Sequence, residues 1–553
     1  MRLELAVVFA LGFSLARAVP GLTERSKPNF HRKATVPIPT VVHHEPVVSR
    51  NGTVLPPYNQ TYYFQQLIDH SNPSLGTFTQ RYWHTYEFYE PGGPIILNTP
   101  GEVNAEPYTP YLTNQTINGQ IAQQENGATI VLEHRFYGLS NPFPDLSVES
   151  FRVHTIQQAI DDLEYFAQNV VLPMPNGSNL TPSTTPWILI GGSYAGALTS
   201  WTMVNKPGLF AAGYASSAVV EAILDFWQYF EPARLFMPAN CSADVEKVIA
   251  YVDEVFTGPS EGAIQAIKDG FGLGDVTHLD DVASALQVDS RSMNDPKVDR
   301  FQDNIFDWQD LLLSTGPGGL FFEFCDALEV KDGVNAPAAG WGLDHALAAW
   351  QTYWNTTYFA LLCGDDDAEC VAYWANTSAL TSNRDCLGTH DESQSYWTDT
   401  SIDNAGRSWF WTVCNYVGWL EVATPTGHPT LVSSLIQPSY ELRQCRMMFP
   451  EAFPPANPPN PQTAQTNQLY DGWNVTVENL FFANGQRDPW RYSTVSAPGV
   501  ELVSTESQPI ELGPGYHCSD LLTREGAANA GVLAVQNAGL AAMSRWIAGW
   551  QSA

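Results

Sequence analysis

Short apolar runs and helical patterns alternate along the chain between residue 62 and about residue 220. The runs have no polar alternation, and residues 156–170 repeat their apolar positions at helical spacing. Unbroken apolar strands separated by helices are typical of a parallel sheet that is covered on both faces. The strands predicted on this basis are residues 94–97, 128–132 and 187–190.

The pattern changes near residue 221, where the strand signals stop. Apolar residues then recur at helical spacing over 245–255 and 346–353, with loops rich in Gly, Asp and Ser between them. Seven of the eight cysteines fall in this stretch, which is predicted to be a mostly helical, disulfide-stapled insertion ending near Pro450. Strand signals return at 480–482 and 510–512, and a docking helix is predicted near the C-terminus.

The N-terminal residues have the pattern of a signal peptide. Arg2 precedes an apolar run over 5–15, and Ala-Arg-Ala at 16–18 fits the small-x-small cleavage rule. The Pro-rich stretch that follows is either a flexible leader, cut as a pro-segment near the basic pair at 32–33, or an ordered arm on the body. The predicted domains are a signal peptide over 1–18, a leader or pro-segment over 19–50, the first part of an α/β core over 51–220, a helical cap over 221–450 and the second part of the core over 451–553.

A strong excess of acidic residues narrows the range of partners. Lys and Arg number 26 against 58 Asp and Glu, so the formal net charge is −32. Such a surface repels phosphates, so no nucleic-acid partner is expected. The charge suits an acidic medium, or it serves solubility alone. No apolar run after the signal peptide is long enough to span a bilayer, so no membrane partner is expected either.

Cysteine number and glycosylation motifs agree with export. Eight cysteines in an exported chain predict disulfides, most of them inside the cap, and no free thiol, although the sequence cannot choose among the pairings. No CxxC pair occurs, so no metal site and no cofactor are expected. The dense N-x-[ST] patterns are typical of a glycoprotein. These patterns begin at Asn51, Asn59, Asn114, Asn176, Asn179, Asn240, Asn355, Asn376 and Asn474.

A nucleophile elbow is predicted where the strand at 187–190 ends. The strand runs into the sequence GGSYAG at 191–196, and a helical segment follows. This strand–turn–helix order presents a serine, here Ser193, on a turn so tight that residues two places away must be small; Gly191 and Ala195 fit. The strict G-x-S-x-G pattern is not met, because Ala195 replaces the second Gly. The alternative is an ordinary glycine-rich turn.

A serine hydroxyl needs a base, and in this fold the acid and then the histidine follow the serine along the chain. His517 is the candidate base, because it follows the last predicted strand, where open α/β sheets place their active sites. Asp488 follows the preceding strand and is the candidate acid, which would orient the imidazole and stabilise its charged form. The alternative for Asp488 is a turn former before proline. Asp520 is a competitor in the wrong chain order. Ser193, Asp488 and His517 are therefore the predicted catalytic triad.

The negative oxygen of an acyl-transfer intermediate needs backbone N–H donors, which form an oxyanion hole. Tyr194, directly after the serine, is expected to supply one donor. Gly101, in the loop after the strand at 94–97, is expected to supply the other, since a glycine backbone can approach closely.

Short segments spread over nearly the whole mature chain carry a specific order of motifs. They are DHSNP at 69–73, TFTQRYW at 77–83, EHRFYG at 133–138, GSYAGAL at 192–198, ASSAV at 215–219, FEFCDA at 322–327, NGQRDPW at 484–490 and GYHCSDL at 515–521. In this order they resemble the serine peptidase family that contains lysosomal Pro-X carboxypeptidase, dipeptidyl peptidase II and the fungal prolyl endoproteases, and the secreted fungal branch is most similar. The resemblance implies an α/β-hydrolase core with a helical cap, cleavage after proline, and the same triad.

Two positions depart from the pattern common in that family. Tyr416 stands where many relatives have a Glu soon after a Cys, and Leu139 stands where an acidic residue often follows the Tyr-Gly pair. The first departure puts in doubt a role there in binding a free amino terminus. It favours endopeptidase or relaxed activity over exopeptidase activity.

Cleavage after proline requires a compact apolar pocket without a group that seeks an N–H donor. Trp490, close to the predicted acid, is expected to give this pocket a flat wall, with core packing as the alternative. Ala197, one helical turn after Ser193, is expected to leave room for the proline ring. Glu102, in the predicted oxyanion loop, is also assigned to substrate binding.

The chain is therefore predicted to be a secreted serine peptidase that hydrolyses bonds on the carboxyl side of proline through an acyl-enzyme. It would act as a prolyl endopeptidase, a Pro-X carboxypeptidase or a dipeptidyl peptidase. Its expected partners are proline-containing peptides or proteins and N-linked glycans, with its oligomeric state open. A lysosome or vacuole is the alternative location. The alternative functions are a secreted carboxylesterase or lipase and an inactive glycoprotein of the same fold.

Overall fold

The structure is a computed structural model that describes residues 36–39, 46–287, 305–358 and 387–552. The predicted signal peptide, the basic pair at 32–33 and three cysteines, Cys363, Cys370 and Cys386, lie outside the described residues. Within the described ranges, no helix is long and apolar enough to cross a membrane.

One eight-stranded sheet forms the centre of the core. Its strands in chain order are β1 Thr61–Leu67, β2 Thr77–Thr85, β3 Ile95–Asn98, β4 Ala128–Leu132, β5 Trp187–Gly192, β6 Ala212–Ser216, β7 Leu480–Gly485 and β8 Ile510–Gly513. They lie side by side in the order β1-β2-β4-β3-β5-β6-β7-β8. Strands β3 to β8 are parallel, whereas β1 and β2 form an antiparallel edge. The predicted parallel sheet is correct for the centre and wrong for this edge.

The edge hairpin escaped prediction because its strands have no continuous apolar run. Polar side chains are buried in it in pairs: Gln66 Nε2 donates to Gln80 Oε1 at 3.0 Å, and Arg81 Nη2 lies 2.6 Å from Glu133 Oε1. Buried polar groups that find such partners are tolerated in a core, so a half-polar strand can be fully covered. The small residues of β6 likewise give only a weak strand signal.

Helices cover both faces of the sheet. In the first part of the core they are α1 Ile117–Glu125, α2 Ile156–Asn169 and α3 Tyr194–Asn205. The insertion contributes α4 Glu231–Phe236, α5 Ala239–Phe256, α6 Glu261–Gly270, α7 Leu279–Ala285, α8 Leu320–Glu329, α9 Leu343–Tyr353, α10 Ser395–Thr398, α11 Ala405–Thr412 and α12 Pro438–Met448. The chain ends with α13 Thr463–Tyr470, α14 Thr523–Ala528 and α15 Ala530–Gly549, of which α15 is the predicted docking helix.

The insertion is mostly helical and is crosslinked by disulfides, as predicted. A disulfide joins Cys241 of α5 to Cys325 of α8, and another joins Cys414 to Cys445 of α12. Two short parallel strands, Ile223–Asp225 and Gly418–Leu420, pair the start of the insertion with a segment near its end. A second short pair, Val330–Lys331 with Val334–Asn335, is antiparallel.

Cys518 is a free thiol, so the prediction that every cysteine is bridged is wrong at this position. Its side chain is completely buried in an apolar cluster of the core that also contains Val36 and Leu521. The thiol donates a long hydrogen bond to the Ser216 carbonyl at 3.9 Å, and no cysteine of either described disulfide is bonded to it.

Part of the N-terminal leader is an ordered arm, one of the two alternatives for this stretch. Val36 is only 5% exposed, and Tyr111 donates its hydroxyl proton to the Pro37 carbonyl at 2.7 Å. Residues 36–39 therefore lie on the body of the protein.

Candidate active site

The chain makes a strained turn between β5 and α3, with Ser193 at its apex. Ser193 has a φ of 60°, a value that residues other than glycine rarely adopt. Its N–H donates to the Ser216 carbonyl at 2.9 Å, which ties the turn to the end of β6. A Cβ atom on Gly191 would lie 2.0 Å from the Ala195 carbonyl oxygen, so the turn requires glycine there. Backbone strain of this kind is concentrated at functional sites.

Asp488 and His517 meet in the loops that follow β7 and β8. The distance between His517 Nδ1 and Asp488 Oδ1 is 2.9 Å, and each side chain is 1% exposed. The same oxygen accepts the Trp490 N–H at 2.9 Å, which holds the carboxylate in place. Because Nδ1 faces the carboxylate, Nε2 points to the opposite side of the ring. It has no hydrogen-bond partner among the described residues.

Two opposing effects act on the His517 imidazole. Burial acts to lower the pKa of His517, because a charged ring loses its hydration. The Asp488 carboxylate and, after it, the neighbouring Cys518 outweigh burial and hold the pKa of His517 well above its ordinary value. The pair therefore stabilises an imidazolium, the form that a histidine takes after accepting a proton from a nucleophile.

Ser216 and Ser217 join the serine turn to the histidine loop. The Ser217 hydroxyl accepts the Cys518 N–H at 3.0 Å, directly after His517, while the Ser216 carbonyl holds the Ser193 N–H. Ser193 Oγ, like His517 Nε2, is buried without a hydrogen bond in the described part of the chain. The structure thus places all three predicted triad residues at the carboxyl ends of the parallel strands. Ser193 and His517 are not hydrogen-bonded to each other.

Asp520, the competing acid, has other partners. It accepts hydrogen bonds from Tyr214 Oη at 2.9 Å and Ser216 Oγ at 2.7 Å. Burial raises the pKa of Asp520 to about 6. Its hydrogen bonds brace the strand end that carries Ser216, and Asp488 is the carboxylate that contacts the imidazole.

The predicted oxyanion donors lie beside the serine turn. Tyr194 is the first residue of α3, so its N–H has no acceptor within the helix. Gly101 has a φ of 83°, and a Cβ atom on it would lie 3.2 Å from Ala195 Cβ, so the two loops are in close contact. The Gly101 N–H donates to Thr99 Oγ1 at 3.4 Å, and must leave this long hydrogen bond to bind another oxygen.

The three predicted pocket residues are buried and come from different segments of the chain. Glu102 is buried beside Tyr194, where burial and then the Glu102 charge raise the pKa of the Tyr194 phenol. Ala197 is buried in α3 and donates its N–H to the Ser193 carbonyl at 2.9 Å. The Trp490 indole lies 6.4 Å from the His517 ring, measured between ring centroids.

Trp490 belongs to an aromatic cluster that sequence patterns do not predict. Its indole centroid lies 5.5 Å from Phe226, 5.3 Å from Tyr229 and 5.7 Å from Trp419. All three partners come from the insertion, and their spacing along the chain gives no signal that they converge on the acid loop. The indole N–H donates to Gln309 Oε1 at 2.7 Å, which brings a further insertion residue to the site.

One group of potential metal ligands occurs in the insertion. The candidate ligand atoms of His278, Asp280 and His390 lie within 4.8 Å of one another. Arg443 already pairs with Asp280 at 3.0 Å, and the two imidazoles stack face to face with centroids 3.6 Å apart. Because a metal is bound in the plane of an imidazole and not above its face, we assign no metal to this group.

Comparison with known proteins identifies the family. The sequence matches the family described as Serine carboxypeptidase S28 over residues 66–285 and 368–537. The chain belongs to this family. As an S28 member it is a serine-type peptidase with an α/β-hydrolase core. Both segments of the match together contain the predicted triad.

Several curated S28 relatives are fungal. The chain is 35% identical to the serine protease vicPa of Bipolaris victoriae and 34% identical to vicPb of the same fungus, over 88% of each chain in both cases. It is 29% identical to a probable extracellular serine carboxypeptidase of Arthroderma benhamiae, over 79% of this chain and 59% of the relative.

Proposed function

We propose that this S28 peptidase cleaves peptide bonds on the carboxyl side of proline through an acyl-enzyme formed on Ser193. One observation carries the proposal. His517 Nδ1 is hydrogen-bonded to Asp488, while His517 Nε2 and Ser193 Oγ are both buried and unpartnered within the described residues at the same edge of the sheet. A hydroxyl and a base that are otherwise unsatisfied are suited to share a proton once the substrate arrives.

The reaction would proceed in two acyl-transfer steps. Ser193 Oγ attacks the carbonyl carbon of the proline residue, and its proton passes to His517 Nε2. The Tyr194 and Gly101 N–H groups bind the oxygen that becomes negative, and Asp488 stabilises the imidazolium. The C–N bond then breaks, and His517 protonates the leaving amine. Water, deprotonated by His517, attacks the resulting ester and releases the product acid and free Ser193.

Proline specificity is supported by the aromatic cluster around Trp490 and by the resemblance to proline-directed relatives. A flat indole close to the imidazole offers an apolar face to a compact ring. Ala197 and Glu102, which are both buried, are proposed to belong to the same pocket.

The test uses matched peptides that differ only in Pro or Ala before the cleaved bond. We expect cleavage of the Pro peptides at an internal bond, and at terminal positions if the enzyme acts as an exopeptidase. Equal cleavage of the Ala peptides would remove the proline proposal. Faster hydrolysis of a short acyl ester than of every peptide would favour the esterase alternative.

We further propose that the protein is secreted and glycosylated. Acceptor asparagines at Asn51, Asn59, Asn176, Asn179 and Asn474 are exposed, so each is accessible to a glycosyltransferase. A fungal relative is named extracellular. Expression of the full chain in a fungal host, with deglycosylation of the culture medium, tests both points: the activity should be in the medium and the protein should lose mass.

A further inference from the structure

Gln309 is a buried polar residue of the insertion whose amide orientation is fixed by its neighbours. The Trp490 indole N–H can only donate, and it lies 2.7 Å from Gln309 Oε1. The Tyr229 hydroxyl lies 3.0 Å from the same oxygen. The amide oxygen is therefore turned toward the aromatic cluster, and the NH2 group is turned away from it.

Within the described residues, that NH2 group has no hydrogen-bond partner. Gln309 is 2% exposed, and its Nε2 makes no hydrogen bond in the described part of the chain. A buried donor of this kind is costly to leave unsatisfied, and most such groups in native proteins find an acceptor. Ser193 Oγ, His517 Nε2 and Asp488 Oδ2 of the triad are likewise buried without a hydrogen bond in that part of the chain.

The position of Gln309 relates it to the triad. Its partner Trp490 follows Asp488 closely, and the indole lies 6.4 Å from the His517 ring. The preceding residue, Trp308, donates its indole N–H to the Arg487 carbonyl at 2.6 Å and packs 5.1 Å from the Tyr516 ring. The insertion segment at 308–309 thus lies against both the acid loop and the histidine loop.

We propose that Gln309 is a specificity-determining residue whose side-chain NH2 donates a hydrogen bond to an acceptor oxygen of the bound peptide. This inference rests on the proposed peptidase function and extends it. A peptide chain offers two such oxygens: a backbone carbonyl, present at every residue, and a terminal carboxylate. Either one would satisfy the donor.

The decisive variant is Gln309→Glu in the full-length protein. A carboxylate keeps the acceptor for Trp490 and Tyr229 but removes the NH2 donor. We expect kcat/KM for a Pro-containing peptide to fall about tenfold or more, because the substrate oxygen loses its partner in a buried site. Peptide cleavage should fall by a larger factor than labelling of Ser193 by a small fluorophosphonate or hydrolysis of an acetyl ester, since neither reagent is long enough to reach Gln309.

A matched control is Gln287→Glu, another buried insertion glutamine whose Nε2 is unpartnered within the described ranges. It should keep wild-type activity on all substrates. Gln309→Met serves as a second variant that introduces no charge, and it should lose peptide cleavage to a similar degree. Peptides with free and with amidated carboxyl ends distinguish the two possible acceptors, a terminal carboxylate and a backbone carbonyl. A loss confined to free ends indicates the carboxylate, and a loss on both indicates a backbone carbonyl.

The inference is overturned if Gln309→Glu cleaves both kinds of peptide at the wild-type rate. It is also overturned if peptide, ester and label are lost together, because Gln309 would then only support the site. Failure of the proposed function looks different: the wild-type protein itself would not be labelled at Ser193, or would not prefer proline, and the inference would fail with it.

Discussion

At the scale of single residues, Ser193 is held in a backbone conformation that it would not adopt alone. Its φ of 60° is maintained by the hydrogen bond to Ser216 and by the close packing of Gly191 on Ala195. Because these contacts involve only the backbone, Ser193→Ala should fold normally. Peptidase activity should fall by several orders of magnitude, as expected when a nucleophile is removed. Fluorophosphonate labelling should vanish with it, and undiminished turnover would exclude the proposed nucleophile.

The pair of Asp488 and His517 gives a pH-dependent prediction. His517 must be neutral to accept the serine proton, and Asp488, together with Cys518, holds its pKa well above the ordinary value. We therefore expect kcat/KM of the free enzyme to rise with pH. The rise should lie above the pH range in which an ordinary histidine titrates. This local effect opposes the acidic medium that the overall charge suggests. Asp488→Asn should lower kcat by about four orders of magnitude and move the remaining rise to lower pH. A pH profile with an unmoved rise would contradict the assignment of Asp488.

Ser217 is predicted to be a positioning residue for the histidine loop. Its hydroxyl accepts the Cys518 N–H at 3.0 Å, and both groups are fully buried. Ser217→Ala leaves that N–H unsatisfied and should lower the free energy of unfolding by about 1–3 kcal/mol. We also expect lower kcat with little change in KM, because His517 loses its alignment while the pocket is intact. A Ser217→Ala variant that loses stability but keeps the wild-type kcat would argue against this role.

At the scale of elements, the ordered arm at 36–39 covers the back of the serine turn. A Cβ atom on Gly192 would lie 2.7 Å from Val36 Cγ1 and 3.0 Å from Cys518 Sγ, so arm, turn and thiol pack together. Val36→Ala should lower the free energy of unfolding by about 2 kcal/mol through the cavity it leaves. Cys518 should then react faster with a thiol reagent in the native protein. Ile38→Ala is the control, because the Ile38 side chain is only partly buried. In this control, Cys518 should react more slowly with the thiol reagent than it does in the Val36→Ala variant.

The success of sequence-based prediction also differs between elements. Strands β4, β5 and β7 and the turn at Ser193 follow from local signals, because each is an apolar run that ends in small or polar residues. The hairpin of β1 and β2 escapes prediction, since its buried residues are polar and only their partners across the sheet satisfy them. Gln309 and the aromatic residues around Trp490 escape for a related reason: they converge through the packing of the insertion, which no local pattern records.

At the scale of the whole molecule, the insertion packs against the loop that carries the acid of the triad. Ser193 and His517 are both at most 2% exposed, and we predict that part of the insertion moves when a peptide enters. Contacts on two sides hold the insertion to the core. Arg407 Nε donates to the Leu146 carbonyl at 2.8 Å on one side, and Trp308 contacts the acid loop on the other.

Glu525 of α14 is predicted to hold the insertion to the core on the side of Trp308. Its buried carboxylate accepts the Leu313 N–H at 2.7 Å, the Ser314 N–H at 3.3 Å and the Ser314 hydroxyl. Glu525→Gln places an NH2 group among these donors and should weaken the contact by about 2 kcal/mol. Leu313 and Ser314 belong to the same segment as Trp308. Weaker binding of this segment by residue 525 should therefore open the site more often. Labelling of Ser193 by a bulky fluorophosphonate should then accelerate more than labelling by a small one, and proteolysis within 305–319 should increase. Glu149→Gln is the control and should change neither rate, because this exposed carboxylate pairs with nearby Arg152 on the surface. Equal labelling rates in the Glu525→Gln variant and the wild type would show that this contact does not control entry.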